Sequence, residues 1–186
     1  MQGHVRERYG IRKDCFLLLG VAFGWEARKG LDVFLSLARR LEPEHYQIVL
    51  VGTDDAVDAQ LPDGVISIHR TQDQRELAEL YSAADLLVDP TREENYPTVH
   101  MEAIACGTPV LTFRTGGCAE MLTEATGAVV ERNDVDAMER EIRRICAERP
   151  FTKEACIESA KRFAGDLCFL KYVELYGEID GEQKSI

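Results

Sequence analysis

Residues Arg92 to Gly117 read REENYPTVHMEAIACGTPVLTFRTGG, and the grammar of this stretch decides the fold. It follows an apolar run, Leu86 to Asp89, that stops at Pro90. A polar loop then carries Glu93, Glu94 and Asn95. Pro97 suits a first helical turn, where its missing N–H has no partner to lose, and Thr98 has a side chain able to cap one. Gly107 ends that helix, with Pro109 two residues on. A second apolar run, Val110 to Phe113, leads into the Gly116-Gly117 pair. This order places an acidic loop and a helix N-terminus together at the carboxyl end of a strand. In open α/β sheets that is where ligands bind.

Outward from this stretch, strand and helix alternate. Cys15 to Val21 and Tyr46 to Val51 are unbroken apolar runs, each stopped by or near a glycine, as suits strands buried on both faces. Val65 to His69 is a short third strand, Leu86 to Asp89 the fourth, Val110 to Phe113 the fifth, and Ala128 to Val130 the sixth. Lys29 to Leu41 carries an apolar stripe at helical spacing. Asp73 can cap the next helix, with Glu76 completing a capping-box-like pair. Asp134 and Thr152 cap two more, reaching about Glu148 and Arg162, and Asp166 starts a last one ending near Ile179. Residues 53–64 read as loop. The expected fold is therefore α/β, a Rossmann-like doubly wound parallel sheet of about six strands with helices on both faces. Residues 1–13 read as a linker or ragged start, 14–180 as the domain, and 181–186 as a frayed polar tail.

Composition narrows the function classes. The chain has 186 residues, enough for one domain with a full core. A net charge of −11 argues against non-specific nucleic-acid binding, which needs a basic surface. It leaves room for a phosphate, which depends on local donors. No apolar run approaches the roughly 20 residues of a membrane span, and the polar start is not a secretory signal. Six scattered cysteines without a C-x-x-C read as reduced core residues of a cytoplasmic protein.

Glu94 and Glu102 are the residues most able to carry chemistry. On one helix, eight steps of 100° would leave them ~80° apart. With a loop-to-helix break between them, one hangs from the loop and the other rises from the first turns. They can face one small ligand from two sides, while loop N–H groups and the helix dipole hold phosphate oxygens.

The run from Glu94 to Gly117 resembles the signature of retaining GT-B glycosyltransferases of the group 1 (family 4) type. That signature has two glutamates separated by seven residues, then A-x-A-x-G-x-P-V and a Gly-Gly pair. Here these are Glu94, Glu102, Ala103, Ala105, Gly107, Pro109, Val110, Gly116 and Gly117. RKGLDVF at Arg28 to Phe34 resembles the family's donor-phosphate lysine loop. LYSAADLLVDPT at Leu80 to Thr91 resembles the segment feeding its glutamate loop. The resemblance spans Phe16 to Tyr176.

It implies a role for each matching position. Lys29, with Arg28 beside it, would contact the diphosphate of a UDP- or GDP-linked sugar. Glu102 would accept from the ribose hydroxyls. Glu94 would bind the transferred sugar and act as the catalytic carboxylate near its anomeric carbon. Backbone amides of Asn95, Tyr96, Pro97, Thr98 and Val99 mark the segment holding sugar and diphosphate, with proline contributing no N–H. The base would sit near His69, Arg70 and Thr71. Neither metal nor cofactor is implied; the nucleotide sugar is a substrate. Many relatives carry an arginine six residues before the lysine, where this chain has Phe23.

The resemblance also implies that the chain is the C-terminal, donor-binding half of a two-domain enzyme. A separate N-terminal half would meet a glycan or lipid-linked acceptor, with the whole enzyme cytoplasmic and peripheral at the inner face of a membrane. The half alone is expected to be inactive. In the family the terminal helix crosses to that other half, so the last helix is expected either to expose an apolar face able to drive self-association or to pack that face on its own domain.

Other features weigh less. Asp134-Val135-Asp136 matches a metal-binding D-x-D but reads as a helix cap. His4, His45, His69 and His100 show no ligand spacing, and Trp25 reads as packing beneath the lysine loop. Gly20 and Gly52 lack a following G-x-G-x-x-G. Alternatives are a GT-B-fold sugar-nucleotide epimerase, a non-catalytic nucleotide-sugar module, and a flavodoxin-like regulatory domain, the last leaving the glutamates unexplained.

Overall fold

The computed structural model describes residues 2–183, with side chains described for 5–179. Six strands form one parallel sheet: β1 Phe16–Val21, β2 Tyr46–Val51, β3 Ile66–Ile68, β4 Leu86–Asp89, β5 Val110–Phe113 and β6 Gly127–Val130. Their spatial order is β3-β2-β1-β4-β5-β6. The chain builds outward from β1 to one edge, returns to the centre, and builds to the other edge from β4. The reversal lies between β1 and β4, where Leu18 pairs Leu86 and Leu19 pairs Leu87. The loops leaving these two strands diverge, and the crevice between them is the topological switch point.

The unbroken apolar strands are explained by two cores. Period-2 alternation sends Leu18 to one face of the sheet and Leu17 and Leu19 to the other. The first face is covered by α2 (Leu31–Arg40) and α6 (Val135–Glu148) through Phe34, Leu37, Met138 and Ile142. The second is covered by α1 (Gln2–Arg8), α4 (Gln74–Ala83), α5 (Thr98–Ala105) and α7 (Lys153–Ala160) through Val5, Leu80, Tyr81, Ile104 and Cys156. A four-residue helix, α3 (Asp55–Asp58), follows β2, and α8 (Gly165–Gln183) ends the described chain. Among the described residues no helix is long and apolar enough to cross a membrane.

Four local expectations need correction. The start is not a ragged linker. Residues 2–8 are helical, Val5 and Ile11 are buried, and Arg8 and Tyr9 both bond Glu76. That contact also alters the capping box. Asp73 accepts from the Glu76 N–H at 2.9 Å as expected, but the Glu76 carboxylate turns to the Gln72 N–H at 2.6 Å and to the arriving α1 segment. The loop at 53–64 contains α3, capped when Asp54 accepts from the Val57 N–H. Residues 181–183 continue α8; residues 184–186, and the side chain of His4, lie outside the described residues.

Candidate functional site

The site is built at the switch point from two loops. The lysine loop leaves β1. Trp25 anchors it, its ring meeting Phe34 edge-on at 5.3 Å and its Nε1–H donating to the Val51 carbonyl at 3.2 Å. A 3-10 turn, Ala27–Lys29, then presents Lys29, and Gly30 turns the chain into α2 at φ +75°. A Cβ on Gly30 would sit 2.5 Å from the Pro90 carbonyl oxygen, so glycine lets this loop press against the exit of β4.

The glutamate loop leaves β4. Thr112 on β5 donates to the Asp89 carbonyl at 2.8 Å and holds its start. The Gly-Gly pair supports its middle: the Gly117 N–H donates to the Asn95 carbonyl at 2.8 Å. A Cβ on Gly116 would lie 1.7 Å from the Glu94 carbonyl oxygen. The result is direct contact between the two acidic and basic candidates. Lys29 Nζ lies 2.6 Å from Glu94 Oε2, with both side chains largely shielded, at 18% and 22% exposure. The other Glu94 oxygen accepts from the Asn95 N–H at 3.1 Å. Burial pushes the Glu94 carboxyl up, but Lys29 and this N–H outweigh it and hold the group below its ordinary value.

Glu102 rises from α5 on a different wall. Thr98 does not cap this helix; Pro97 takes the N-cap position and no side-chain cap bond forms. Proline's preset φ still starts the helix where expected. Glu102 is exposed and accepts from the Tyr81 hydroxyl at 2.9 Å. Burial and the neighbouring Glu102 push the Tyr81 phenol far up, so it remains a donor that fixes one carboxylate oxygen. Glu102 lines a cleft of about 720 Å³ with Val99, Phe23, Thr53, His69 and Arg70. Lys29 and Glu94 do not line this cleft. They sit on the two loops that supply part of its lining, Lys29 on the loop containing Phe23 and Glu94 on the loop that leads to Val99 in α5.

The remaining candidates separate. Arg28 is exposed and pairs with Glu26 at 2.8 Å, so its side chain is not joined to Glu94. Asn95 is exposed, Tyr96 packs edge-on against Phe163 at 6.5 Å, and Pro97 is buried. Phe23 is fully exposed at the cleft. Asp134 caps α6 by accepting from the Ala137 N–H at 2.8 Å, while Asp136 pairs with Arg40, so the D-x-D is spent on structure.

Residues 6–163 match the family described as "Glycosyl transferases group 1". The chain belongs to this family. A D-inositol 3-phosphate glycosyltransferase of Xylanimonas cellulosilytica is 31% identical over 142 residues, which is 70% of this chain and 34% of that protein. Its counterpart in Streptosporangium roseum is 30% identical over 179 residues, 86% of this chain and 40% of the relative. The chain thus spans a third to two-fifths of these curated relatives. Among solved structures, sucrose-phosphate synthase from Thermosynechococcus elongatus superposes with a TM-score of 0.81 at 26% identity, over 97% of this chain and 49% of that one. Anabaena HepE, solved in complex with UDP, shares the fold with a TM-score of 0.74 at 18% identity, over 100% of this chain and 52% of HepE. The sheet order and this coverage make the domain one half of a GT-B fold.

Within this group 1 glycosyl transferase domain, several contributors carry no sequence signal of their own. Tyr81 orients Glu102 from another helix. His100 on α5 is fully buried and bonds Asp89 at 2.7 Å. Its Nδ1 has no hydrogen-bond partner among the described residues. Asp89, His100 and Cys118 converge behind the glutamate loop within 4.8 Å of one another, and burial lifts the Cys118 thiol to about 11. Asp55, Asp58 and His69 form an exposed cluster of the same span beside the cleft. Only tertiary pairing brings these sets together, which is why spacing along the chain did not reveal them.

Proposed function

We propose that this domain binds the nucleoside diphosphate sugar of a retaining, metal-independent glycosyl transfer, and that the acceptor is met by another part of the whole enzyme. The observation that carries the reading is the Lys29–Glu94 pair at the switch point, flanking a cleft with Glu102 on its wall. A donor would separate that pair. Its diphosphate would take Lys29, leaving the Glu94 carboxylate for the hydroxyls of the transferred hexose and for positive charge at its anomeric carbon. In the transfer the anomeric C–O bond breaks, its electron pair leaves with the diphosphate, and the acceptor hydroxyl oxygen forms the new bond on the same face as its proton passes to the departing diphosphate. Neutralising the leaving group and placing a carboxylate near an oxocarbenium-like centre are what this chemistry needs. Glu102 would accept from ribose hydroxyls, with one oxygen already oriented by Tyr81. Amides of the segment 95–99 would support the sugar and diphosphate, and the base would lie near His69 and Arg70.

The curated relatives carry glycosyltransferase names, and HepE was solved with UDP, which supports a nucleotide-linked donor. The same reading assigns the apolar side chains of α8 to contact with the other half of the enzyme, or with a second copy when that half is absent. By itself the domain should bind donor and transfer nothing.

Calorimetric titration with UDP-glucose, UDP-galactose and GDP-mannose tests the reading. Binding to one of them is expected. Glu102→Ala should weaken both the sugar nucleotide and the bare nucleotide, whereas Glu94→Ala should reduce preference for the sugar nucleotide over the bare diphosphate. A folded protein that binds none of the panel overturns the proposal.

A further inference from the structure

Arg92 sits two residues before Glu94, and its side chain bonds neither Glu94 nor Lys29 among the described residues, yet it ties together the loops that carry them. Its backbone N–H donates to the Arg28 carbonyl at 2.7 Å. Its Nη1 donates to the Ala27 carbonyl at 2.8 Å and to Asp32 Oδ1 at 2.7 Å, and its Nη2 donates to Asp32 Oδ2 at 2.7 Å. Nε donates to Asn133 Oδ1 at 2.7 Å. Ala27 and Arg28 form the 3-10 turn that presents Lys29, and Asp32 lies in the first turn of α2 directly after it. Asn133, held at φ +68°, belongs to the loop before α6.

One guanidinium therefore grips the lysine turn from both ends and fastens it to a third loop. The bidentate fork suits only arginine, since a lysine ammonium is a single point charge. Arg92 is 21% exposed, and its fork is fully engaged with Asp32, whose carboxyl it holds below the ordinary range by direct hydrogen bonding. A group occupied in this way is poorly placed to bind phosphate itself. Its effect is to set where Lys29 meets Glu94.

We propose that Arg92 is a positioning residue: it locks the lysine loop to the glutamate loop and so fixes the separation at which one donor can engage a cation with its diphosphate and a carboxylate with its sugar. This rests on the donor-binding reading above. It also accounts for a diphosphate site built with Phe23 where many relatives carry a second basic clamp. Preorganisation of the single lysine lowers the ordering cost of binding.

The test is a double-mutant cycle between Arg92→Lys and Lys29→Met, read by calorimetry with UDP-glucose, GDP-mannose and the bare nucleotides. Hydrogen exchange at the Lys29 and Gly30 amides, which donate to Glu26 and Ala27 carbonyls at 2.8 and 3.3 Å, is followed alongside. Arg92→Lys is expected to lower donor affinity about tenfold, within the range of coupling between interacting residues. It should also speed exchange at those amides. In the Lys29→Met background the same change should cost almost nothing, because the residue it positions is gone. A residue serving stability alone would lower the melting temperature and leave the two effects additive; additivity, or unchanged exchange, overturns the proposal. If the wild-type protein binds no donor, the functional reading falls and the donor role of Arg92 with it. The exchange measurement then still decides whether this arginine orders the lysine turn.

Discussion

The loop from Pro90 to Pro97 and the helix α8 are both surface segments of one chain, and they are held in opposite ways. The loop is short of apolar side chains, yet neighbours grip it at nearly every step: Thr112 at its entry, Arg92 across to Ala27 and Asp32, Lys29 at Glu94, Gly117 at Asn95. Helix α8 is rich in large apolar side chains, yet every described residue from 164 to 179 is exposed, with Phe169 at 70% and Tyr176 at 68%. Order in the loop comes from directional bonds and close backbone approach. Apolar content alone gives α8 no comparable hold within this domain. The difference teaches where the domain is finished and where it offers a surface.

The most severe way to break the loop is through its support. Gly116→Val would drive a Cβ into the Glu94 carbonyl, 1.7 Å away, at a residue with φ +45°. Strain and overpacking together should cost roughly 3 kcal/mol. For a chain of this size that corresponds to roughly 6–12 °C in melting temperature. Scanning calorimetry checks it. An unchanged melting temperature with unchanged donor binding would show that the loop does not depend on this approach.

Next in size is the charge the loop faces. Lys29→Met removes the cation beside Glu94. A charge-assisted hydrogen bond to a diphosphate is worth ~1.5–3 kcal/mol, so affinity for a nucleoside diphosphate should fall ~10–100-fold. Titration with UDP and GDP measures this. Loss confined to the sugar nucleotide, with bare diphosphate unaffected, would reverse the assignment of Lys29.

These two residues show what could be read in advance and what could not. Strands β1 and β2 are buried on both faces, so their sequences are unbroken apolar runs with little alternative. The switch point follows from the alternation of strands and helices, and Lys29, Glu94 and Glu102 stand out because each belongs to a motif that is local in the chain. Arg92 has no such signal: its partners Asp32 and Asn133 lie 60 and 41 residues away, and an arginine in a polar loop usually points to solvent. Tyr81 and Glu102 meet only because α4 and α5 pack together. Helix α1 was hidden for a related reason. Its short, polar sequence is ordered by tertiary contacts, Val5 in the core and Arg8 on Glu76, since isolated helices of this length are marginal.

A gentler probe is pH. Burial raises the Glu94 carboxyl, but Lys29 and the Asn95 N–H overcome it and leave it depressed. A depressed carboxyl stabilises the folded state fully above its unfolded value, near 4.5, and loses that contribution as pH falls through the folded value. The stability difference between wild type and Glu94→Gln should therefore be constant near neutrality and shrink below about pH 4.5. Urea midpoints from pH 7 to pH 3 measure it. Wild type gaining stability relative to Glu94→Gln on acidification would mean that desolvation outweighs the lysine.

The smallest effect on stability belongs to α8, and that smallness is what makes the comparison informative. Phe169→Ser and Tyr176→Ser remove side chains with little of their surface covered, so each should change the unfolding free energy by no more than ~0.5 kcal/mol. Ile142→Ala on α6, fully buried, should cost ~2–5 kcal/mol by contrast. The two α8 changes should instead lower the concentration-dependent mass measured by sedimentation equilibrium, because an uncovered apolar face is favoured to find another surface. A large loss of stability from either would place α8 against its own domain. Unchanged stability together with reduced association would mark it as a face that this domain leaves for something else to cover.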